Sequence, residues 1–174
     1  AQQMKDNQMK KFQNTIDATS LIFAHSILDD SAYECCRITL ILSPDFWINV
    51  IKNRKISLEY LHSNSSENII KEKCDEYFIQ FEKESLLTKI DRLFKICKPE
   101  KDYDPIENYK YDREKIKYYD DLRHQIVHKE IPEKCLKNGY AEINYLFKTN
   151  FLFFALINYR YDLKFNPLYL QKRD

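Results

Sequence analysis

The stretch IKYYDDLRHQIVH, from Ile116 to His128, guides the interpretation of the whole chain. Its apolar residues recur at spacings of three and four, which predicts a helix with one buried stripe formed by Ile116, Tyr119, Leu122 and Ile126. Arg123 lies at the margin of this stripe. His128 lies on the polar side, together with Arg113, Lys117 and His124. The helix should therefore have a buried face and a cationic face.

Glycine is nearly absent, since only one of the 174 residues is a glycine. Tight hairpins and phosphate-binding loops need glycine where the backbone takes a positive φ, so both are disfavoured. The composition predicts an all-α protein without a glycine-rich nucleotide loop. A chain of this length suits a single domain, residues 1–174. Within it we expect residues 1–8 to be flexible or vector-derived and residues 162–174 to form a C-terminal tail.

Apolar spacing and capping residues predict an antiparallel bundle of about five helices. The first covers about residues 6–42, with Asp29–Ser31 as a candidate break. A short helix opens at Pro44, after the N-cap Ser43. Two further helices begin near Ser66 and Ser85.

The strongest helix-start signal is Asp104 followed by Pro105, with Glu107 completing a capping-box-like arrangement. The helix that opens there should extend to about Lys129, because Pro132 forbids continuation. A final helix covers about residues 141–161 and is apolar nearly all round. We therefore expect it at the centre of the bundle or in a dimer contact.

Charge and cysteine content indicate the environment. The 28 basic and 27 acidic residues give a net charge of +1, which provides no global attraction to nucleic acid. The five cysteines contain no C-x-x-C pair and are expected to be buried, reduced thiols, typical of the cytoplasm. The longest apolar run, residues 151–157, is far shorter than the ~20 residues that span a bilayer. The sequence predicts a soluble, cytoplasmic protein without membrane contact.

The six residues Arg123 to His128, RHQIVH, match the Arg-polar-x-x-x-His motif of the HEPN superfamily. HEPN proteins are helical bundles, and many are metal-independent ribonucleases of toxin and antiviral systems. The setting also resembles HEPN, because a long polar helix leads into the motif and an apolar helix ends the domain. This architectural similarity covers about residues 10–165.

The resemblance implies a homodimeric endoribonuclease that needs no metal or other cofactor. Arg123 would hold the scissile phosphate, and His128 would transfer a proton to or from the ribose or the leaving oxygen. His124 would be the supporting polar residue of the motif. Residues expected to contact RNA lie on or beside the same helix, namely Arg113, Lys117, Tyr118 and Lys129.

Arg123 and His128 do not converge on an ideal helix. Residues five apart project about 140° from each other and lie ~7.5 Å apart along the axis. A distorted last turn, a neighbouring helix or a second copy of the chain could bring them together.

Two alternatives remain open. The fold could serve as a non-catalytic RNA-binding or assembly module, because helix-dipole preferences alone favour basic residues in a last turn. Alternatively, Asp120, His124 and His128, spaced four apart, could bind a metal in a helical bundle. His25 and His62 are isolated in sequence, and each is expected to be a core or loop histidine.

One position departs from the HEPN pattern. HEPN toxins that are silenced by a nucleotidyltransferase resemble each other in having a tyrosine two residues after the motif histidine, and Glu130 stands there. That route of regulation is not expected. An antitoxin or regulatory protein of another kind remains a candidate partner.

Overall fold

The computed structural model describes residues 2–51, 57–99, 105–106 and 109–163. The regular structure of these residues is entirely helical, which confirms the predicted all-α class. The described part of the chain contains five helices of at least 12 residues and two short ones. They are α1 (Gln2–Leu42), α2 (Pro44–Ile51), α3 (Leu58–Ser63), α4 (Ser66–Phe81), α5 (Leu86–Cys97), α6 (Arg113–His128) and α7 (Gly139–Tyr161).

α1 is one helix of 41 residues that begins at Gln2 and continues through Asp29–Ser31. The predicted break at that point is wrong. Asp29 accepts two hydrogen bonds, at 2.7 and 2.8 Å, from the ammonium of Lys89 on α5. Lys89 is only 1% exposed. Ala32, almost one turn later, is completely buried. The acidic turn is therefore held against α5 and stays helical.

α1 is the central helix, because it packs against α2, α5, α6 and α7. Its buried residues recur every three or four positions, at Ala18, Leu21, Ala24, Leu28 and Ala32. Three of these residues are alanines, whose small side chains allow close approach of neighbouring helices.

α7 does not take the central position that its apolar sequence suggests. It packs mainly on α1 and α5 and leaves Phe151 and Phe154 exposed. The prediction of α7 as the central helix is wrong, whereas a dimer contact through α7 stays a prediction. Within the described chain, no helix combines the length and the apolar character that crossing a bilayer requires.

The bundle is only partly antiparallel. α1 and α7 run parallel, because Asp17 lies against Gly139 at one end and the Tyr161 hydroxyl donates to Ser43 Oγ at the other (2.8 Å). α6 and the segment that leads into it run antiparallel to α7, because Tyr109 pairs with Thr149 and Tyr119, further along, pairs with Glu142. The antiparallel prediction is thus correct for α6 and wrong for the two longest helices.

α6 begins at Arg113, later than predicted. Asp112 is the N-cap and accepts hydrogen bonds from the backbone N–H groups of Glu114 (3.0 Å) and Lys115 (3.2 Å). Just upstream, Tyr109 is buried and its hydroxyl is 2.9 Å from Thr149 Oγ1 on α7. This segment packs on α7 without forming a helix. Asp104 and Glu107 of the predicted cap lie outside the described residues.

The segment after α6 is fixed to α1 by one side chain. The Asn14 amide donates to the Pro132 carbonyl (2.5 Å) and accepts from the Cys135 N–H (2.7 Å). The end of the motif helix is therefore anchored to the central helix.

The cysteines are free thiols, and all except Cys74 are buried. Burial raises the pKa of Cys35 to about 12 and that of Cys97 to about 11. These thiols stay protonated near neutral pH, which fits a packing role.

Candidate active site on the second half of α6

The two motif histidines face solvent side by side. His124 and His128 are one turn apart on α6, both exposed, with ring centroids 4.5 Å apart at an interplanar angle of 47°. Neutral imidazole both donates and accepts a hydrogen bond, and it gains or loses a proton near neutral pH. The pair can therefore move protons at a ligand bound on this face.

Arg123 is half-buried beside this pair. Its Nε atom is buried and has no hydrogen-bond partner among the described residues. A buried donor without an acceptor costs about 1–3 kcal/mol, and more when it belongs to a charged group. An external anion can reach this half-buried guanidinium only at its terminal nitrogens, because the Nε atom is inaccessible. A phosphate suits it, because guanidinium groups bind phosphate oxygens in pairs.

A histidine from the central helix completes the cluster. His25 on α1 is 5% exposed, and its Nε2 lies 2.7 Å from Asp120 Oδ1 on α6, to which it donates a hydrogen bond. Its burial shows that it is a core histidine, one of the two roles that the sequence left open, and the sequence did not predict its partner. Asp120 precedes Arg123 by three residues, so the two side chains are neighbours on the helix surface.

Asp120 carries a negative charge next to the motif. The pKa of this carboxyl is held below its usual 3.8, first by the hydrogen bond from His25 and then by the charges of His25, Arg123 and His124, although burial opposes the shift. The ionised carboxylate attracts the Arg123 guanidinium. It is itself fixed by His25, so α1 helps to define the electrostatics of the motif.

α6 is regular to its end. The Lys129 N–H donates to the Gln125 carbonyl at 2.9 Å, and α-helix continues to His128. The last turn is therefore not distorted, which removes one of the three ways to bring Arg123 and His128 together. Of the other two ways, a neighbouring helix is present, because α1 contacts Asp120 through His25. The contribution of a second copy of the chain stays a prediction.

The predicted metal ligands are not assembled. Asp120 is engaged by His25, whereas His124 and His128 point to solvent. Among the residues that the structure describes, no group of three or more histidine, cysteine or acidic side chains is placed to hold a metal ion. The geometry therefore gives no support to the metal hypothesis based on Asp120, His124 and His128.

The residues predicted to contact RNA differ in availability. Arg113 donates two hydrogen bonds to Asp91 on α5, at 3.1 and 2.9 Å, so much of its donor capacity is already used. Lys117, Tyr118 and Lys129 are exposed. Lys117 shares the face of His124 and His128, whereas Tyr118 lies further round the helix.

Only part of this site was visible in the sequence. Arg123, His124 and His128 are adjacent because they share one helix, but His25 is separated from Asp120 by 95 residues. The only sequence signal for His25 is its place in the buried stripe of α1, between Leu21 and Leu28. The chain matches no protein-family model, no curated protein and no solved structure.

Proposed function

We propose that the protein is a metal-independent endoribonuclease that resembles HEPN enzymes. The observation that carries the proposal is the solvent-facing His124–His128 pair beside Arg123, whose buried Nε has no acceptor. Proton-transfer groups and an unsatisfied guanidinium are what phosphodiester cleavage requires. A role in a toxin or antiviral defence system follows from the resemblance alone.

The proposed reaction uses the ribose 2′-hydroxyl as the nucleophile. His128 removes the 2′-hydroxyl proton, the 2′-oxygen forms a bond to phosphorus, and the bond from phosphorus to the 5′-oxygen breaks. A protonated imidazole donates a proton to the leaving 5′-oxygen. The products are a 2′,3′-cyclic phosphate and a 5′-hydroxyl, and each proton transfer contributes roughly 10²–10⁴-fold in rate.

Arg123 would stabilise the extra negative charge on the phosphorane-like transition state. Asp120 acts on Arg123 as a positioning residue, because its charge attracts the guanidinium while His25 fixes the carboxylate. His124 supports His128 through their ring contact.

Two copies of the chain would complete the site. Arg123 and His128 point away from each other on a regular helix, so a two-fold axis near α6 would let one subunit's Arg123 act with the partner's imidazole. In such a homodimer, one His128 would serve as base and the other as acid.

The competing function is a non-catalytic RNA-binding or assembly module. Such a module has no need for exposed imidazoles and would tolerate a motif arginine paired within its own subunit. Arg123 forms no ion pair within 4.0 Å among the described residues, which supports the enzyme over the module.

The test is cleavage of a mixed RNA pool in EDTA by the purified protein. Each chemical step uses protein side chains, so we expect cleavage to resist the chelator. Arg123→Ala and His128→Ala should each lose roughly 100-fold or more of the rate. His62→Ala, at an exposed histidine on α3, is the matched control and should retain full activity. Cleavage that survives in the motif variants, or that requires a divalent metal, would contradict the proposal.

A further inference from the structure

A lysine-lined cavity lies at the other end of α6, where the helix begins. It has a volume of about 320 Å³ and is lined by Lys110, Lys115 and Lys148 together with Tyr109 and Tyr145. The three lysines come from three segments: the chain before α6, the first turn of α6, and α7. None of the described residues that line it is acidic. We call this site the lysine cavity.

The wall of the lysine cavity is built from fixed aromatic rings. Tyr145 accepts a hydrogen bond from the Asp112 N–H (2.9 Å) and donates to the Asp112 carbonyl (3.3 Å). Its ring lies 5.3 Å from that of Tyr109, and the Tyr109 hydroxyl is 2.9 Å from Thr149 Oγ1. Both rings are therefore held by hydrogen bonds to neighbouring segments.

Lys115 is seated on one of these rings. Its ammonium lies 3.9 Å from the centroid of Tyr145, a cation–π contact. Such a contact holds the side chain in place without cancelling its positive charge. Lys110 and Lys148 line the same space, so several ammonium groups lie beside the fixed tyrosine rings. An anion is the ligand that this arrangement favours, and phosphate suits lysine ammonium groups.

A second cavity adjoins the lysine cavity and shares Lys110, Lys115 and Tyr145 with it. It has a volume of about 520 Å³, lies at the start of α6, and is also lined by Tyr111, Asp112 and Arg113. From Arg113, the residues Lys117, Asp121, His124 and His128 follow at helical spacing within about 80° of one another around α6, so this face contains one carboxylate among its basic groups. The path from Arg113 to His128 is ~22 Å long, which exceeds the size of one nucleotide. The ligand that could follow it is a chain.

We propose that the lysine cavity binds a backbone phosphate of single-stranded RNA, several nucleotides away from the phosphate that lies at Arg123 and His128. The identity of the strand rests on the proposed nuclease function, but the binding itself does not require cleavage. The cavity would raise affinity for RNA long enough to reach across the start of α6, without taking part in the chemistry.

The experiment measures RNA binding in the His128→Ala background, so that cleavage does not interfere. A labelled single-stranded RNA of about 20 nucleotides, longer than the ~22 Å path, is titrated at salt concentrations from about 50 to 200 mM. Lys110→Gln/Lys115→Gln/Lys148→Gln is compared with the control Lys71→Gln/Lys83→Gln/Lys95→Gln. The control lysines are exposed and line none of the cavities at the start of α6.

We expect the cavity variant to bind RNA more weakly and to lower the slope of log K against log salt by about 0.7, the contribution of one phosphate contact on a single strand. The control variant should keep both affinity and slope. Lys110→Gln alone, at an exposed side chain outside the helices, should change the affinity and the slope in the same direction by a smaller amount, even if the triple variant folds poorly.

Three results would overturn the inference: no RNA binding, an unchanged slope in the cavity variants, or an equal loss in the control. Inorganic phosphate and adenosine monophosphate are titrated in parallel by calorimetry. Lysine-dependent binding of these small anions with unchanged RNA binding would assign the cavity to a free phosphate ligand and also overturn it. If RNA binding depends on the lysines but the wild-type protein does not cleave RNA, the nuclease proposal fails and the phosphate site stands.

Discussion

The two ends of α6 hold positive charge in different ways. At the C-terminal end, His124 and His128 are titratable and exposed, and Arg123 lies near the ionised Asp120. At the N-terminal end, Lys110, Lys115 and Lys148 line a cavity, and Lys115 rests on the Tyr145 ring. Proton transfer needs groups that change charge, whereas affinity for a polyanion needs charge that persists. We therefore propose chemistry at one end of α6 and RNA binding at the other.

The largest effect is expected from the imidazoles. His128→Ala should reduce the cleavage rate roughly 10²–10⁴-fold, because the residue transfers a proton in the transition state. His124→Ala should cost less, since His124 only supports its neighbour. Single-turnover rates with saturating RNA measure both. Equal losses would show that the two rings act as a unit and would change the role given to His124.

A smaller effect is expected from the carboxylate that faces Arg123. Asp120→Asn can still accept the hydrogen bond from His25 but loses the charge, so cleavage should fall roughly tenfold, which corresponds to about 1.4 kcal/mol of transition-state stabilisation. Asp121→Asn removes the same charge at the next, exposed position and is the matched control. The rate is measured at a temperature where wild type and both variants are fully folded, and under that condition it should still fall for Asp120→Asn. A purely structural role would leave the rate of the folded variant unchanged.

The lysine cavity should act on substrate binding and not on the chemical step. For a long RNA, Lys110→Gln/Lys115→Gln/Lys148→Gln should raise KM several-fold at low salt and leave kcat unchanged. A dinucleotide substrate is too short to reach the cavity and should show no change in KM. A fall in kcat for the dinucleotide would mean that the two ends of α6 do not have separate roles.

The smallest effect concerns stability in acid. Because folding lowers the pKa of Asp120, its carboxylate stabilises the fold above the ordinary value of 3.8, and this contribution is lost as the pH falls through the lower folded value. Urea unfolding between about pH 7 and pH 3 should show a smaller acid-induced loss for Asp120→Asn than for wild type or Asp121→Asn. Identical losses in all three proteins would contradict the role of the His25–Asp120 hydrogen bond.

Local signals in the sequence identified helix starts where a side chain alone makes the cap. Ser65 and Ser85 accept hydrogen bonds from the backbone of Asn68 and Thr88, so α4 and α5 begin where predicted. The start of α6 could not be predicted in this way. The burial of Tyr109 against α7 is a tertiary effect, and it outweighs an upstream capping pattern.

The sequence does not predict how segments that are distant along the chain pack against one another. Periodicity indicates which face of a helix is buried but not the direction of its neighbour, so the parallel packing of α1 and α7 was missed. The His25–Asp120 pair and the lysine cavity likewise depend on which segments meet. The sequence predicts that Arg113 contacts RNA, because it cannot show that Arg113 is paired with Asp91 on another helix. The motif residues were found because one helix contains them all.

The most direct test of the central claim is the chemistry of the RNA ends left after cleavage in EDTA. Attack by the 2′-hydroxyl, with His128 as the proton-transfer group, predicts fragments that end in a 2′,3′-cyclic phosphate and begin with a 5′-hydroxyl, and His128→Ala should not produce them. Fragments with a 3′-hydroxyl and a 5′-phosphate, or the same fragments from His128→Ala, would contradict the account.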